Sequence, residues 1–477
     1  MSLFLKVIPK IGIFKVTELK KVFFILPVFA IIGYFLLLAP SSQSMRPAAT
    51  ESPPDFTLVV SGQELGYLEP CGCAEGQIGG FPRRDSMLLQ LTSGGKNLLR
   101  VANGNLISDA RRQSELKAEI GFTALKEMEY AAFNVGPRDL LLGIEQLKYF
   151  SNTSGIPFLS ANLFQGEEGV FQPFVLHRVH LEDLQEQVAI VGVISQQFEI
   201  YAENASADLM LKAPEDVLRE LIPQLSSECE FIVLLAHAAI DEAKALAKAF
   251  PQIDIIIVGD EQSEALREPI SVGDTVLLNP GIKGKALGML DIRSDKGKKN
   301  ADSHFQLLTL SERIPDSPRM MDLLLMYQQM LAAENLTADI QQEPLSTGGM
   351  YAGNASCKTC HPSEYASWKK TKHSHAYHTL VEKGHENDPD CLTCHTVGFG
   401  FQTGFISEPQ TPTLADVGCE NCHGVGGNHV KNPKPGYGKV TKANCLTCHT
   451  SENSPNFDYD AYFPKILHEV MRTVATE

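Results

Sequence analysis

Four pentapeptides towards the carboxyl terminus of the chain share one pattern. They read Cys357-Lys358-Thr359-Cys360-His361, Cys391-Leu392-Thr393-Cys394-His395, Cys419-Glu420-Asn421-Cys422-His423 and Cys445-Leu446-Thr447-Cys448-His449. Each is Cys-x-x-Cys-His, the attachment signature of a c-type haem. The two cysteines can form thioethers with the vinyl groups of one haem, and the adjacent histidine is placed to bind its iron. The sequence therefore predicts four covalent c-type haems.

A Cys-x-x-Cys pair by itself also fits a zinc site, a disulfide or a thioredoxin-like redox pair. None of these sites needs a histidine directly after the second cysteine. Here the histidine is present every time, and the pattern recurs four times within residues 357–449. The repetition favours haem attachment over the three alternatives.

Length, charge and cysteine use narrow the class of protein. The chain has 477 residues, enough for two to four domains, and a formal net charge of -16. Such an acidic surface excludes a nucleic-acid partner. Eight of the 11 cysteines lie in the pentapeptides, which leaves Cys71, Cys73 and Cys229. Because covalent haem attachment is normally completed outside the cytoplasm, the motifs predict a periplasmic location.

The amino-terminal segments predict a membrane anchor. Residues 1–21 hold five lysines and one acidic residue, and residues 22–39 are uncharged and almost wholly apolar. Eighteen residues is the lower limit for a spanning helix. The basic flank predicts a cytoplasmic segment at 1–21, a transmembrane anchor at 22–39 and a body facing the periplasm from the inner membrane. The alternative is a cleaved signal peptide. Residues 40–55, rich in Pro, Ser and Ala, are expected to form a linker.

Apolar runs that alternate with amphipathic stretches begin at Phe56 and predict an α/β layered sandwich over residues 56–340. Residues 336–352 are polar and contain glycine, and we expect the boundary there. Residues 350–477 are expected to form a mainly α-helical, haem-packed cytochrome domain. The predicted strands cover 56–60, 97–102, 131–135, 157–161, 188–194, 231–235, 253–258 and 275–278, and the predicted helices cover 114–128, 143–151, 214–226, 241–249 and 317–335.

Each haem iron has a second axial position, which a histidine outside the pentapeptides could occupy. On a helix, two of these candidates, His375 and His378, would share a face, whereas His373 and His375 would diverge. There are more candidates than irons in the carboxyl-terminal region: His373, His375, His378, His385, His429 and His468.

Further residues around the motifs carry a family resemblance. They are the first motif with Glu364, Trp368, Thr371, His373 and Ala376, the second motif with Asp390 and Thr396 to Phe399, and the third motif with Val417, Gly418 and Gly424. With these residues, the region resembles the tetrahaem cytochrome c-554 family over about residues 350–450. The resemblance implies that His373 and His429 are distal iron ligands, although Val425 replaces a proline of the family pattern. The family also contains a haem without a distal ligand, so two histidine ligands on every iron are not assumed here. His385 and His468 stay open as ligands, and His375 and His378 are expected at the surface or beside a ligand.

The amino-terminal domain contains the stretch Gly66-Tyr67-Leu68-Glu69-Pro70-Cys71-Gly72-Cys73, followed by Gly79-Gly80 and Arg83-Arg84. With this signature, the domain resembles the 5'-nucleotidase branch of the metallophosphoesterases over roughly residues 56–295. The family binds two metals at strand ends with an Asp-x-His, a Gly-Asp, a Gly-Asn-His-Asp/Glu, a lone His and a Gly-His-x-His. The resemblance implies that fold for this chain.

The metal ligands of that family are mostly missing here. The corresponding positions read Gln63-Glu64-Leu65, Gly104-Asn105, Gly136-Pro137-Arg138-Asp139 and Gly259-Asp260-Glu261-Gln262, and His237 alone is retained. Asn105, Asp139, Asp260 and His237 could at best hold one weakly bound ion. We therefore expect a catalytically degenerate domain.

Three further features stay open at this point. Cys71 and Cys73 form either a redox or metal-binding pair or two ordinary thiols in a turn, because one intervening residue strains a mutual disulfide. Cys229 is expected in the core. Arg83 and Arg84 either bind an anion or form a solvated pair.

Together these features predict an electron-transfer protein with a phosphoesterase-like scaffold or docking module. Its expected partners are a redox partner protein or a quinol oxidase or dehydrogenase system, and the inner membrane. One alternative is a haem redox enzyme that acts on a small nitrogen compound at an open iron. A second is a metal-dependent nucleotidase or phosphoesterase.

Overall fold

The structure is a computed structural model, and it describes residues 56–70, 76–180, 185–260, 264–295, 298–300, 304–338, 340–346 and 348–468. The predicted anchor, the linker, Cys71, Cys73, Glu261 and Gln262 lie outside these residues. Within them, no helix combines the length and the apolar character needed to cross a membrane. The described residues belong to one compact unit.

The first β-sheet of the amino-terminal domain has seven strands in the order β15-β14-β1-β2-β3-β4, and β16 pairs with the far side of β14. Strands β1 to β4 run parallel, whereas β14 is antiparallel to β1, with Val59 opposite Met289. The strands are β1 (Phe56–Ser61), β2 (Leu98–Ala102), β3 (Ala132–Asn134), β4 (Phe158–Leu159), β14 (Ala286–Asp295), β15 (Lys298–Asn300) and β16 (Phe305–Thr309).

The second sheet has six strands in the order β12-β13-β11-β10-β8-β7, and β8, β10, β11 and β13 are parallel. A small third sheet has the order β6-β5-β9. The strands are β5 (Leu163–Gln165), β6 (Glu168–Gly169), β7 (Phe174–His180), β8 (Gln185–Ile194), β9 (Leu209–Leu211), β10 (Phe231–His237), β11 (Ile255–Val258), β12 (Ile270–Val272) and β13 (Thr275–Leu278).

Helices cover the outer faces of the two large sheets. The first sheet packs against α1, α2, α3 and α7, and the second packs against α5 and α6. The helices are α1 (Phe81–Ser93), α2 (Arg112–Glu127), α3 (Ile144–Ser154), α4 (Glu199–Ala205), α5 (Pro214–Glu228), α6 (Ile240–Ala249) and α7 (Pro318–Glu334).

Alternating side chains of the strands place the core on both faces of each sheet. Leu58 and Val60 of β1 face Ile190 of β8 and Leu235 of β10 between the sheets. Val59 points the other way and joins the helices of the first layer. Successive residues of a strand point to opposite faces, so these fully buried apolar runs fit a sandwich with helices on both sides. The predicted α/β layered sandwich is confirmed.

Several elements were not predicted from the sequence. Strand β7 carries His177 and Arg178 inside its apolar run, and β14 ends in charged residues. Helix α1 buries Arg83, Arg84 and Asp85, where a core-facing helix normally buries apolar residues. Polar residues at core-facing positions hide the periodicity on which sequence-based prediction depends.

The carboxyl-terminal region consists of short helices joined by loops. Among its described residues, the buried apolar cluster has six members: Leu380, Leu392, Val397, Phe399, Phe405 and Leu414. The helices are α8 (Asn354–Cys360), α9 (Pro362–Trp368), α10 (Ala376–Lys383), α11 (Pro389–His395), α12 (Cys419–His423), α13 (Gly427–Lys431), α14 (Lys442–Leu446) and α15 (Tyr459–Ile466). So small a core fits a region whose interior is to be filled by cofactors.

Candidate haem sites and the ligand edge of the sandwich

Each Cys-x-x-Cys-His motif lies on or at the end of a short helix: α8, α11, α12 or α14. The Nδ1 atoms of three motif histidines are held by oxygen atoms: His395 by the Ala376 carbonyl at 2.7 Å, His423 by the Gly438 carbonyl at 2.6 Å and His449 by Ser454 Oγ at 2.9 Å. A carbonyl only accepts, so Nδ1 of His395 and of His423 must carry the proton. Their Nε2 lone pairs are thereby left for a metal.

Three motif histidines are paired with a second histidine ring. The ring centroids of His361 and His429 are 6.4 Å apart, those of His373 and His449 are 6.1 Å apart, and those of His423 and His468 are 6.1 Å apart. An imidazole nitrogen binds a metal at about 2 Å and the ring centre lies about 1 Å further away, so two rings on opposite sides of one iron have centres about 6 Å apart. The observed spacings fit this arrangement, whereas direct ring stacking would be closer.

The protonation of these histidines also fits iron binding. Burial lowers the pKa of His373, His449 and His468. A neutral imidazole is the form that binds a metal. In addition, the Nδ1 atoms of His429 and His468 are buried and have no hydrogen-bond partner. The residues present therefore fit c-type haem at these three positions.

The fourth motif histidine, His395, differs from the other three. Within the described residues, its ring makes no contact with another histidine ring. His385 lies within 4.8 Å of Asp388 and of the motif cysteine Cys391. Its ring has two polar neighbours, with Gln328 Nε2 at 3.4 Å from its Nδ1 and Glu69 Oε2 at 3.9 Å from its Nε2. His375 is exposed, and His378 is exposed beside Glu382 at 3.2 Å.

The structure thus places the two predicted distal ligands, His373 and His429, opposite motif histidines. It also places His468 there, which sequence reasoning had left open. His468 follows the aromatic helix α15, beyond the last motif. A weak signal for it is the aromatic content of α15, where Tyr459, Tyr462 and Phe463 are not fully buried.

The motif cysteines form two hydrogen-bonded contacts, and Cys422 of the third motif also lies beside Cys445 and Cys448 of the fourth. The thiols of Cys357 and Cys419 are hydrogen-bonded, which lowers the pKa of Cys357. The thiol of Cys394 likewise hydrogen-bonds to Cys448 and lowers the pKa of Cys448 to about 6. The first motif therefore adjoins the third, and the second adjoins the fourth. We call these the 1/3 pair (residues 357–361 and 419–423) and the 2/4 pair (residues 391–395 and 445–449).

Buried hydrogen bonds within the carboxyl-terminal region hold the 1/3 pair. The Glu420 carboxylate is 5% exposed and accepts backbone hydrogens from Ala352, Gly353 and Gly426. Asn354 Oδ1 accepts from the Cys419 amide at 2.9 Å. These bonds connect the start of α8 with α12, which brings the two motifs together.

The other candidate site lies at the carboxyl ends of the parallel strands, and we call it the ligand edge. It consists of residues 62–69 after β1, 103–111 after β2, 135–139 after β3, His237 at the end of β10, and the loops after β11 and β13. Gln63, Leu65 and Asn105 adopt positive φ, so the turns of a ligand-bearing loop persist without the ligands. Asp139 is fully buried, and its oxygens accept hydrogens from the amides of Asn105, Leu106 and Gly136 at 2.8 Å.

His237 is buried in the middle of the ligand edge. Burial lowers its pKa to about 4, so the ring is neutral. Its Nε2 lies where side chains at Gly104 and Gly136 would begin: an added Cβ would be 2.6 and 2.8 Å away. Glycine is required at both positions because the ring, together with atoms of Asn105 and Asn134, occupies that space.

The residues of the ligand edge do not fit a two-metal centre. The oxygens of Asp139 are engaged by the backbone, and Asn105 Oδ1 accepts from the Arg138 amide at 2.9 Å. Glu64 forms a fully buried ion pair with Arg84 at 2.8 Å. Leu65 has no ligand atom. A cation at this edge would have to break these internal bonds and displace the Arg84 charge.

The solvated-pair interpretation of Arg83 and Arg84 is wrong because both side chains are buried, and the partners of their guanidinium groups inside the fold do not favour an anion site. Arg84 is fully buried against Glu64 and also donates to Ser61 Oγ at 3.2 Å. Arg83 donates to the Gln77 carbonyl at 2.6 Å and lies 3.5 Å from Asp316.

Cys229 is half-buried at the end of α5 and packs at the margin of the core.

Comparison with known proteins matches both regions. Residues 356–424 match the model of the family "Cytochrome c554 and c-prime". A relative, cytochrome c-554 of Nitrosomonas europaea, is 34% identical over 101 residues, which covers 18% of this chain and 43% of the relative. The chain thus spans less than half the length of that protein.

The solved structures match the sandwich. A 5'-nucleotidase precursor from Thermus thermophilus has a TM-score of 0.52 at 20% identity, covering 61% of each chain. The Thermus thermophilus sulfate thiohydrolase SoxB has a TM-score of 0.52 at 18% identity, covering 65% of this chain and 68% of its own. At such identities the likeness shows the fold alone. The chain therefore combines an α/β domain of the metallophosphoesterase fold with a carboxyl-terminal segment similar to the cytochrome c554 family, which implies c-type haem as its cofactor.

Proposed function

We propose that this chain is a tetrahaem c-type cytochrome whose function is electron transfer. The haems are attached at Cys357 and Cys360, Cys391 and Cys394, Cys419 and Cys422, and Cys445 and Cys448, with His361, His395, His423 and His449 as the proximal ligands. The observation that supports this most is the spacing of three histidine pairs, each suited to one iron, beside four attachment motifs.

The distal ligands are His429 for the first haem, His468 for the third and His373 for the fourth. Two imidazoles leave no open position on an iron and favour electron transfer over ligand chemistry. The grouping of the thiols into a 1/3 pair and a 2/4 pair supports two closely packed pairs of haems. Close packing gives a path for electrons through the region.

The α/β domain serves as a scaffold and not as a hydrolase. The internal bonds of Asp139, Asn105 and Glu64 use the groups that would have to bind metal. Metal-ion catalysis of phosphoryl transfer depends on two cations that polarise the phosphoryl oxygens and generate hydroxide. Among the described residues of the ligand edge, Gln63, Glu64 and His237 have buried side-chain atoms without a hydrogen-bond partner, but Glu64 is paired with Arg84, and one amide and one imidazole are too few ligands for two cations.

The proposal includes an inner-membrane anchor at residues 22–39 with the body in the periplasm. It is supported by the basic flank at 1–21 and by the haem motifs, whose attachment is completed outside the cytoplasm. The expected partner is a redox protein or a quinol oxidase or dehydrogenase system in that compartment.

A second candidate function is the reduction or oxidation of a small nitrogen compound at the haem of His395. It is favoured by one observation: among the described residues, no histidine ring lies against His395. A haem with one protein ligand can bind a small molecule at the open position.

The test is a pyridine haemochrome assay with protein quantitation, followed by a spin-state spectrum with and without carbon monoxide. We expect four haems per chain, three low-spin and one high-spin, with carbon monoxide bound by one haem. Replacing Cys419 and Cys422 together by Ser should remove one haem and leave three. Two haems or fewer in the unchanged protein would refute the proposal, and four low-spin haems would refute the second candidate alone.

A further inference from the structure

The helix that carries the second haem motif is held at its start by the α/β domain. Asp388 caps α11, accepting a hydrogen from the Asp390 amide at 3.0 Å. The same Oδ1 atom of Asp388 also accepts a hydrogen bond from Gln113 Nε2 of α2, at 2.8 Å. Gln113 also donates to the Tyr327 hydroxyl of α7 at 2.9 Å, and both Gln113 and Asp388 are buried. A cross-domain hydrogen bond therefore fixes the amino end of the motif helix.

A charged contact lies one turn further along α2. Lys117 Nζ is 2.7 Å from Asp390, the residue directly before Cys391, and the Lys117 side chain is 14% exposed. Arg111 approaches the same carboxylate at 3.4 Å. Lys117 is largely buried, so its charge is screened less by solvent than the charges of Asp390, 41% exposed, and Arg111, 55% exposed. The positive charge of Lys117 is thus fixed beside the attachment site of the second haem.

The fourth motif has its own contact with the same domain. Glu452, three residues after His449, forms an ion pair with Lys283 and accepts from the Tyr67 hydroxyl at 3.4 Å. Tyr67 lies in the loop after β1 and Lys283 in the loop after β13. Both members of the 2/4 pair are therefore bound to the α/β domain.

These contacts lie at the ligand edge and at the start of α2, which directly follows its loop 103–111. Tyr67 follows the loop of Gln63 and Leu65, and Lys117 packs against Gly66, with Nζ 3.5 Å from the position of an added Cβ. In the metallophosphoesterase fold the metal ligands converge on this edge. Here the carboxyl-terminal region covers it.

We propose that the ligand edge of the α/β domain is a positioning surface for the 2/4 pair, and that Gln113 and Lys117 position the haem attached at Cys391 and Cys394. Gln113 sets the orientation of α11 through Asp388. Lys117 sets the position of the residue before Cys391 and places a positive charge beside the haem. This inference rests on the proposed tetrahaem function and gives the α/β domain a specific role within it.

The sign of the electrostatic effect follows from Coulomb's law. An oxidised haem iron carries one more positive charge than a reduced one, so a nearby positive charge favours the reduced form. Removing the charge of Lys117 also leaves the negative charge of Asp390 less neutralised, which favours the oxidised iron. Both changes should lower the midpoint potential of the second haem.

The experiment compares Lys117→Met, Lys117→Arg and Gln113→Leu in the full chain with all haems attached. Lys126→Met is the matched control, since Lys126 lies on the same helix and donates to the Thr153 carbonyl within the α/β domain. The four midpoint potentials are measured by spectroelectrochemical titration. We expect Lys117→Met to lower one potential, Lys117→Arg to restore it, Gln113→Leu to shift the same one, and Lys126→Met to leave all four unchanged.

The shifted haem is identified by repeating Lys117→Met in a variant with Cys391 and Cys394 both replaced by Ser. The three remaining potentials should then not respond to Lys117→Met. Unchanged potentials in a variant with reduced thermal stability would show that Lys117 and Gln113 are structural only, and an equal shift of all four would also overturn the inference. Haem content measured on the same samples tests the proposed function separately.

Discussion

The two pairs of haem motifs are held in different ways. The 1/3 pair is joined by bonds inside the carboxyl-terminal region, from Glu420 to Ala352 and Gly353 and from Cys419 to Asn354. The 2/4 pair is bound to the α/β domain through Asp388, Asp390 and Glu452. The difference shows that the ligand edge, whose Asp139, Asn105 and Glu64 are engaged within the fold, lies where the domain contacts the 2/4 pair. The edge keeps its loops and binds another part of the chain.

The ligation pattern separates the two pairs as well. Both motif histidines of the 1/3 pair have a second ring opposite them, His429 and His468. In the 2/4 pair, His449 has His373, whereas His395 has no ring contact with a histidine among the described residues. In the proposed ligation, the pair that the α/β domain holds is the one with an open iron position.

The largest expected effect comes from removing a distal ligand of the 1/3 pair. His468→Gly should convert one low-spin haem to high-spin, because the iron opposite His423 loses its second imidazole. His385→Gly is the matched control and should leave the spin states unchanged, since its ring is engaged by Gln328 and Glu69. The measurement is the electron paramagnetic resonance spectrum of the oxidised protein. A spin change in the His385 variant and none in the His468 variant would reverse the two assignments.

A smaller effect concerns the ligand edge itself. Burial lowers the pKa of His237 to about 4, whereas in the unfolded chain the group titrates near its ordinary value of 6.5. The neutral ring therefore contributes stability that is fully present above pH 6.5 and is lost as the pH falls towards 4. His237→Gln should reduce this loss by up to about 3 kcal/mol.

The measurement for His237 is the urea midpoint of the full chain at pH 7 and at pH 4.5. His304→Gln, at an exposed histidine, is the control and should behave as the unchanged protein does. Equal acid sensitivity of the His237 variant and the unchanged protein would contradict the buried neutral ring.

The last prediction is that no phosphoesterase activity will be detected. The full chain should not hydrolyse a chromogenic phosphate ester or a nucleotide at an enzyme-like rate with manganese, zinc or calcium added, because Asp139, Asn105 and Glu64 are engaged within the fold. Elemental analysis should find iron as the stoichiometric metal. Metal-dependent turnover that His237→Ala abolishes would show that the ligand edge is a working site and not only a binding surface.

The sequence predicted the parts of the molecule that local patterns determine. The parallel strands β1, β2, β10 and β13 were predicted within two residues, because their buried apolar runs are bounded by polar turns. Each haem motif, and each segment in which a metal ligand is missing, is a short stretch of sequence that can be recognised without tertiary information. Strand β7 and helix α1 were missed because charged residues interrupt their apolar faces.

The rest depends on long-range packing. The pairing of His468 with His423 is set by how the region folds back on itself, and no periodicity links the two positions. The positioning surface is equally hidden: Gln113 and Lys117 are ordinary residues of an amphipathic helix until Asp388 and Asp390 are brought against them. The internal use of Arg84 was missed because nothing local relates it to Glu64.

The small apolar cluster of the carboxyl-terminal region has a consequence for biosynthesis. Burial of apolar surface is the main driving force of folding, and six apolar residues supply little of it to a region of this length. The region should therefore stay largely open until haem is attached, which gives the attachment machinery access to each pair of thiols. The α/β domain has three cores of its own and can fold first. Segments that have just received haem would then dock against the ligand edge, which is already folded. The order in which the two regions fold therefore follows from where the buried apolar residues lie.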